Sequence, residues 1–308
     1  MALSLSIVVV AYGMARELPR TLKSLAVPAQ RDIEPDDYEV VLVDNGTPGG
    51  LDPSLARHFP GELRTHRLDA APPSPAFAAN QGIALARGDL IGLVIDGARM
   101  ASPGLLATAR LAGGLAARPI ITSPAYHLGA TTHMDAAAEG YDERVEDELL
   151  AAARWEEDGY ELFTISTLAG SSGRGWFGPM GESSALFMRK KLWQELGGLD
   201  ERFALPGGGL VNHDLYRRAC ASPGVQLVTL LGEGTFHQFH GGAATTRRFT
   251  WDEMHADYRA IRGLDYRPPE NVPIYIGGVP VAALSHLERS AQLAIDRTAR
   301  SSGRSRTR

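Results

Sequence analysis

Three short apolar runs, each closing on a polar residue, constrain this chain more than anything else in it. Ser6-Ile7-Val8-Val9-Val10-Ala11 runs into Tyr12, Glu39-Val40-Val41-Leu42-Val43 ends at Asp44-Asn45-Gly46, and Leu90-Ile91-Gly92-Leu93-Val94-Ile95 stops at Asp96. Near-continuous apolar strands of this kind are buried on both faces, as in parallel sheets. Between them Leu18, Leu22 and Leu25 recur at helical spacing, residues 76–87 read as a helix closed by Gly88 as its C′ glycine, and a further strand is expected at 64–68. The alternation predicts an α/β domain with a mainly parallel central sheet flanked by helices. Ligands of such sheets bind beyond the carboxyl ends of the strands, which singles out Ala11-Tyr12, Asp44-Asn45 and Asp96-Gly97.

Composition narrows the function classes. With 308 residues, 44% hydrophobic, the chain is long enough for one large α/β domain. A net charge of -5 and the lack of a Lys/Arg block within the body exclude a nucleic-acid partner. Cys220, the single cysteine, can form no internal disulfide, which fits a cytoplasmic protein. The apolar run at 3–11 lacks a basic leader and a cleavage site and is too short to span a bilayer, so it reads as a strand, and no transmembrane segment is expected. Assembly as a homo-oligomer is left open.

The second half is less regular. Residues 126–181 combine an acidic helical stretch at 142–157 with the glycine-rich segment 170–178, and mobile, substrate-facing loops are expected there. The acids Glu146, Asp147 and Glu148 read as a solvated helix face. A strand at 184–188, helices at 190–196 and about 214–221, and a strand at 225–231 follow. From Thr298 the chain turns rich in Arg and Ser and is expected to be disordered; Arg300, Arg304, Arg306 and Arg308 offer weak attraction to anionic lipid. The sequence divides into a domain at 1–285, with a donor half to about 125 and an acceptor half from 126, and a C-terminal helix and basic tail at 286–308.

In this order the motifs resemble the GT-A-fold glycosyltransferases of family 2. Residues 6–12 are similar to that family's opening strand, Val41-Leu42-Val43-Asp44-Asn45-Gly46-Thr47 to its second, and Asn80-Gln81-Gly82 with Ala86-Arg87-Gly88 to its first helix after the third strand. Val94-Ile95-Asp96-Gly97-Ala98 stands at its D-x-D turn, Gly197-Gly198-Leu199-Asp200-Glu201-Arg202-Phe203 at its GGFDExF segment, and His237-Gln238-Phe239-His240-Gly241-Gly242 at its terminal histidine segment. The resemblance implies a Rossmann-like GT-A fold and transfer of a hexose-like residue from a nucleoside-diphosphate-sugar to a hydroxyl acceptor, with Mn²⁺ or Mg²⁺. It implies donor contacts from Ala11, Tyr12, Asp44, Asn45, Asn80, Asp96, Gly97 and Arg99. A sugar-phosphate nucleotidyltransferase and a non-catalytic nucleotide-sugar binder are the alternatives.

Two departures bear on the chemistry. Ala98 stands where the second acid of the turn would hold a metal, so either Asp96 recruits His237 and His240 as metal ligands, imidazole suiting Mn²⁺ better than Mg²⁺, or Arg99 carries the phosphate charge without metal. Val211-Asn212 replaces an acidic pair from which inverting relatives draw a base. An amide cannot accept that proton, which leaves His213, Asp214 and Glu182 as catalytic candidates, Asp214 serving equally well as a helix cap. Trp176 and Phe177, within a Gly/Ser-rich segment, suit stacking on an acceptor sugar. Pro206-Gly207-Gly208-Gly209 reads either as a loop over the donor phosphates or as a flexible linker.

Overall fold

A computed structural model of the chain describes residues 4–241 and 250–305. In chain order its elements are β1 (Leu5–Ala11), α1 (Glu17–Ser24), β2 (Tyr38–Asp44), α2 (Ser54–His58), β3 (Glu62–Arg67), α3 (Ala76–Leu85), β4 (Leu90–Val94), β5 (Arg99–Ala101) and α4 (Leu105–Gly113). The chain continues through β6 (Pro119–Thr122), β7 (Ala125–Leu128), α5 (His133–Ala136), α6 (Glu143–Ala153), β8 (Ser166–Leu168), β9 (Ala185–Arg189), α7 (Lys190–Leu196) and α8 (Val211–Ala221). It closes with β10 (Gln226–Leu231), β11 (Thr235–His237), α9 (Trp251–Arg262), β12 (Ile274–Gly277) and α10 (Leu284–Ser305).

Eight strands form the main sheet in the order β12-β10-β6-β9-β4-β1-β2-β3. All its pairings are parallel except those of β9, which runs antiparallel between β4 and β6. Alternation along β1 shows why both faces must be covered: Val8 and Val10 enter a core with α3, α7 and α8, whereas Ile7 and Val9 enter a second core with α1 and α4. Each such side chain, taken from water, contributes about 1.5–3 kcal/mol. Among the described residues, no helix is long and apolar enough to cross a membrane.

A second sheet, β5-β11-β7-β8, is built from three- and four-residue strands. Its core holds Met100, Tyr126, Phe163, Trp176 and Phe236. Residues 126–181 are therefore largely a packed layer, with strands, helices and a core of their own, and not the substrate-facing loops expected from their irregular sequence.

Other expectations are corrected as well. α3 stops at Leu85, and Ala86 is already extended. Gly88 is not a helix cap: a Cβ there would lie 2.7 Å from the Ser6 nitrogen, so the glycine lets the chain press against β1. Residues 206–209 form a tight turn in which Gly207, Gly208 and Gly209 all have positive φ, and a Cβ on Gly208 would meet Val211 and Pro75. That turn is not a flexible linker. α10 takes in residues 298–305, which were expected to be disordered, and its His286 and Ser290 are buried, His286 edge-on to Tyr126 at 4.9 Å. The C-terminal helix expected from 286 thus begins at Leu284 and packs against the second sheet through His286. Arg306 and Arg308 lie outside the described residues, as does Gly242.

Candidate active site

Sheet register brings the predicted strand ends to one edge. Ala11 pairs with Asp44 and Val9 with Val94, so the residues following β1, β2 and β4 converge. Asp44 is buried; its Oδ1 accepts the Thr47 N–H at 2.8 Å, while its Oδ2 has no hydrogen-bond partner and lies 4.0 Å from Arg67 Nε. Asn45 donates from Nδ2 to the Pro72 carbonyl, and its Oδ1 is likewise buried and unpartnered. A buried acceptor left unsatisfied costs about 1–3 kcal/mol, so two neighbouring ones mark a place where an N–H- or O–H-bearing ligand would fit. Tyr12 stands beside them, 56% exposed. Gly97 is required by space: a Cβ there would lie 2.9 Å from that of Ala11 and 3.1 Å from the Met14 sulfur.

Asn80 does not belong to this group. Its amide donates to the Leu199 carbonyl and to Glu201 and accepts from the Leu199 N–H at 2.8 Å, tying α3 to the Gly197-Gly198 turn. With these bonds made, the side chain is a structural latch.

The second sheet delivers the other half of the site. Its register aligns Arg99 of β5, His237 of β11, His127 of β7 and Thr167 of β8 in one row. Asp96 Oδ2 lies 2.9 Å from His237 Nε2 and 3.5 Å from His240 Nε2, and the two imidazole nitrogens are 3.0 Å apart. Adjacent donors about 2.1 Å from one cation are separated by about 3.0–3.4 Å, so the trio has the spacing and chemistry of a metal-ligand set. Asp96 and His240 are partly open to solvent, while His237 is buried. Arg99 lies close enough to depress the histidines, and its Nε and one Nη are buried without partners, leaving charge to offer an anion.

Electrostatics keeps Asp96 and His237 in ligating form, whereas at His240 burial is outweighed by the hydrogen bond and field of Asp96, which raise its pKa. Burial opposes ionisation of Asp96, but the field of His237 and bonds to both histidines hold its carboxyl well below the usual carboxylate range. Burial, reinforced by Arg99, brings His237 down to about 4 despite Asp96. Ala98 ties the turn to the histidine segment. It is fully buried, donates its N–H to Asp96 Oδ1 at 2.9 Å and accepts from Gln238 N at 2.8 Å, so the segment that follows β11, with His240, is stitched to the turn beside Asp96.

Four residues missed in the sequence support this arrangement. Glu146 is buried, contrary to its reading as solvated: its carboxylate accepts the Phe239 N–H at 2.6 Å and pairs with Arg16, which donates to the Phe239 carbonyl at 3.1 Å. Both backbone groups of Phe239, midway between His237 and His240, are thus clamped. Asp147 and Glu148 are exposed, as a solvated face requires, Asp147 pairing with Arg16 and Arg20. His127 and His133 pack beside His237, with ring centroids at 5.4 and 5.2 Å. The clue was available in a chain of nine histidines: two further ones flank the start of the irregular half.

The acid/base candidates separate. His213 Nδ1 faces Glu182 Oε2 at 3.7 Å, and burial lowers its pKa below the ordinary imidazole value. Glu182 precedes β9, whose Ala185 pairs with Val94, so it emerges at the edge where β4 ends. Asp214 neither caps α8 nor stands free: its carboxylate is buried, receiving Arg218 at 2.7 Å and both Nε and Nη2 of Arg262 at 2.6 and 2.7 Å. Trp176 is fully buried, its indole N–H directed to the Glu233 carbonyl, and Phe177 rests on Tyr275. Trp176 is therefore a core residue, because its partners Tyr126, Phe163 and Phe236 come from distant segments. The open aromatic near His213 is Trp251, 55% exposed and 6.0 Å from its ring.

Residues 6–97 match the profile of the family described as Glycosyl transferase family 2. No curated protein sequence matches the chain. Among solved structures, it is similar to S. aureus TarS 1–349 in complex with UDP-GlcNAc, with TM-score 0.53 and 13% identity over 84% of this chain and 65% of that one. A mannosyltransferase from Pyrobaculum calidifontis, PcManGT, in complex with GDP-Man and Mn²⁺, gives TM-score 0.51 and 16% identity over 95% and 70%. S. aureus TarS itself is matched over 77% of this chain but only 37% of its own length, at TM-score 0.52 and 13% identity. At such identities the likeness establishes the fold, that of the GT-A glycosyltransferases.

Proposed function

We propose that this chain, a GT-A-fold protein with a family 2 glycosyltransferase domain, transfers a sugar from a nucleoside-diphosphate-sugar to a hydroxyl acceptor, with carbohydrate as the acceptor class. The convergence of Asp96, His237 and His240 beside the unpaired nitrogens of Arg99 carries the reading. The relatives crystallised with UDP-GlcNAc and with GDP-Man and Mn²⁺ support a uridine or guanosine diphosphate donor.

Asp44 Oδ2 and Asn45 Oδ1 would accept from the nucleoside, and Tyr12 would flank it. Arg99 would meet the diphosphate. Asp96, His237 and His240 would hold Mn²⁺ in preference to Mg²⁺, because two of the three ligands are imidazole. A divalent cation bound there offsets the charge that develops on the leaving diphosphate. On the acceptor side, His213 is neutral and able to take a proton. Closing its 3.7 Å gap to Glu182 would fix a proton on Nδ1 and leave Nε2 as the base. Trp251, not Trp176, is the ring on which an acceptor sugar would stack.

Incubating the purified chain with UDP- and GDP-sugars and Mn²⁺, and measuring released nucleotide, tests the reading. Release from at least one donor is expected, reduced about 10²-fold or more by Asp96→Ala. Failure to bind either nucleotide, together with no release from any donor, would sink it.

A further inference from the structure

Buried His133 lies against His237, with Nδ1 of each ring 3.2 Å from the other. Its second nitrogen, Nε2, is 3.0 Å from the Leu128 carbonyl; the Glu146 carboxylate, at 3.9 Å, is beyond hydrogen-bond distance. A carbonyl oxygen can only accept, so the proton of neutral His133 is on Nε2 and its Nδ1 is a lone pair. The ring is seated at the start of α5, where the His133 backbone N–H donates to His127 Nδ1 at 2.8 Å.

That lone pair favours one tautomer of His237, in competition with Asp96, which favours the other. With its proton on Nδ1, His237 donates to His133 and leaves Nε2 bare, 2.9 Å from Asp96 Oδ2 and 3.0 Å from His240 Nε2, facing the carboxylate with a lone pair whose repulsion a bound cation relieves. With its proton on Nε2, it would donate to Asp96 and set two lone pairs against each other at 3.2 Å. The first tautomer prepares the trio for a cation; the second closes it with an internal hydrogen bond. We propose that His133 is a positioning residue that holds His237 in the Nδ1–H tautomer, so that Nε2 joins Asp96 and His240 in binding a divalent cation. Outer partners of this kind commonly change metal affinity by about 10–100-fold.

This inference rests on the metal reading above, and the two can fail separately. Mn²⁺ is titrated into the full chain, alone and with uridine or guanosine diphosphate, and free Mn²⁺ is followed by electron paramagnetic resonance. The wild-type chain should bind Mn²⁺ and Asp96→Ala should not. His133→Phe, which keeps a ring but neither donor nor acceptor, should weaken binding about 10–100-fold. His133→Gln, whose amide can donate to Leu128 and accept from His237, should recover part of the loss. Long-range ¹⁵N–¹H spectra of the metal-free wild-type chain need no variant and should show His237 protonated on Nδ1. Wild-type affinity in His133→Phe, or a wild-type His237 protonated on Nε2, overturns the tautomer role. Absence of Mn²⁺ binding by the wild-type chain overturns the metal site itself.

Discussion

The two sheets are built on different terms. In the main sheet, β1, β2 and β4 are near-continuous apolar runs buried along their whole length, and the residues that matter lie at or just beyond their ends. In the second sheet, strands of three and four residues come from positions 99, 125, 166 and 235, and the site depends on side chains that no local pattern connects. The first region carries its own folding signal. The second becomes a layer only when distant segments meet, which makes its histidines products of tertiary packing.

That contrast is open to attack at single residues, beginning with the largest expected effect. Trp176→Ala should cost about 3–5 kcal/mol in denaturant unfolding, as loss of a fully buried aromatic does. A normal stability with a raised KM for acceptor would instead restore Trp176 to a stacking role. Asp214→Asn should cost about 3 kcal/mol, because two guanidinium groups lose their buried counter-charge. If Asp214 were the base, stability would hold while kcat collapsed. In the donor half, Asn80→Ala should cost about 1–3 kcal/mol, since the Leu199 backbone groups lose their partners, and should leave nucleotide affinity nearly unchanged. A loss of affinity larger than the loss of stability would return Asn80 to the donor site.

The smallest effect concerns pH. Glu233 is buried beneath the second sheet, bonded by Ser102 and Tyr160, and burial pushes its carboxyl up to about 7. Its folded pKa thus lies above the ordinary unfolded value, so between these two the native state holds the extra proton. This group's contribution is fully present below the unfolded pKa and is lost as pH rises through about 7, at a slope of at most about 1.4 kcal/mol per pH unit. Unfolding of Glu233→Gln, measured from pH 5 to 8, should show a flatter profile than wild type. Identical profiles would mean that Glu233 is ionised in the folded chain.

How much could be read in advance follows from the same contrast. The parallel sheet, α7 and the positions of Asp44, Asn45 and Asp96 were legible because period, run length and strand ends are local properties. The fold followed from them, and the meeting of Asp96 with His237 and His240 followed from the order of the motifs. Arg16 and Glu146 were not legible, because nothing in an acidic helix tells which of its carboxylates will turn inward onto Phe239. Trp176 was misread for a related reason: glycine and serine neighbours suggest an open loop, whereas its burial is set by Tyr126, Phe163 and Phe236. Ala98 looked like a lost ligand, and nothing local shows that its carbonyl accepts from Gln238 and draws the histidine segment up to the turn.

Asp96, His237 and His240 are proposed to form one cation site serving a nucleoside diphosphate. Crystals of the chain grown with Mn²⁺ and uridine or guanosine diphosphate, measured for anomalous scattering, address it directly. A single anomalous peak bounded by those three side chains is expected, with the diphosphate on its open side towards Arg99 and the nucleoside at Asp44 and Asn45. A nucleotide bound there without a peak, its phosphates on Arg99 alone, would contradict it.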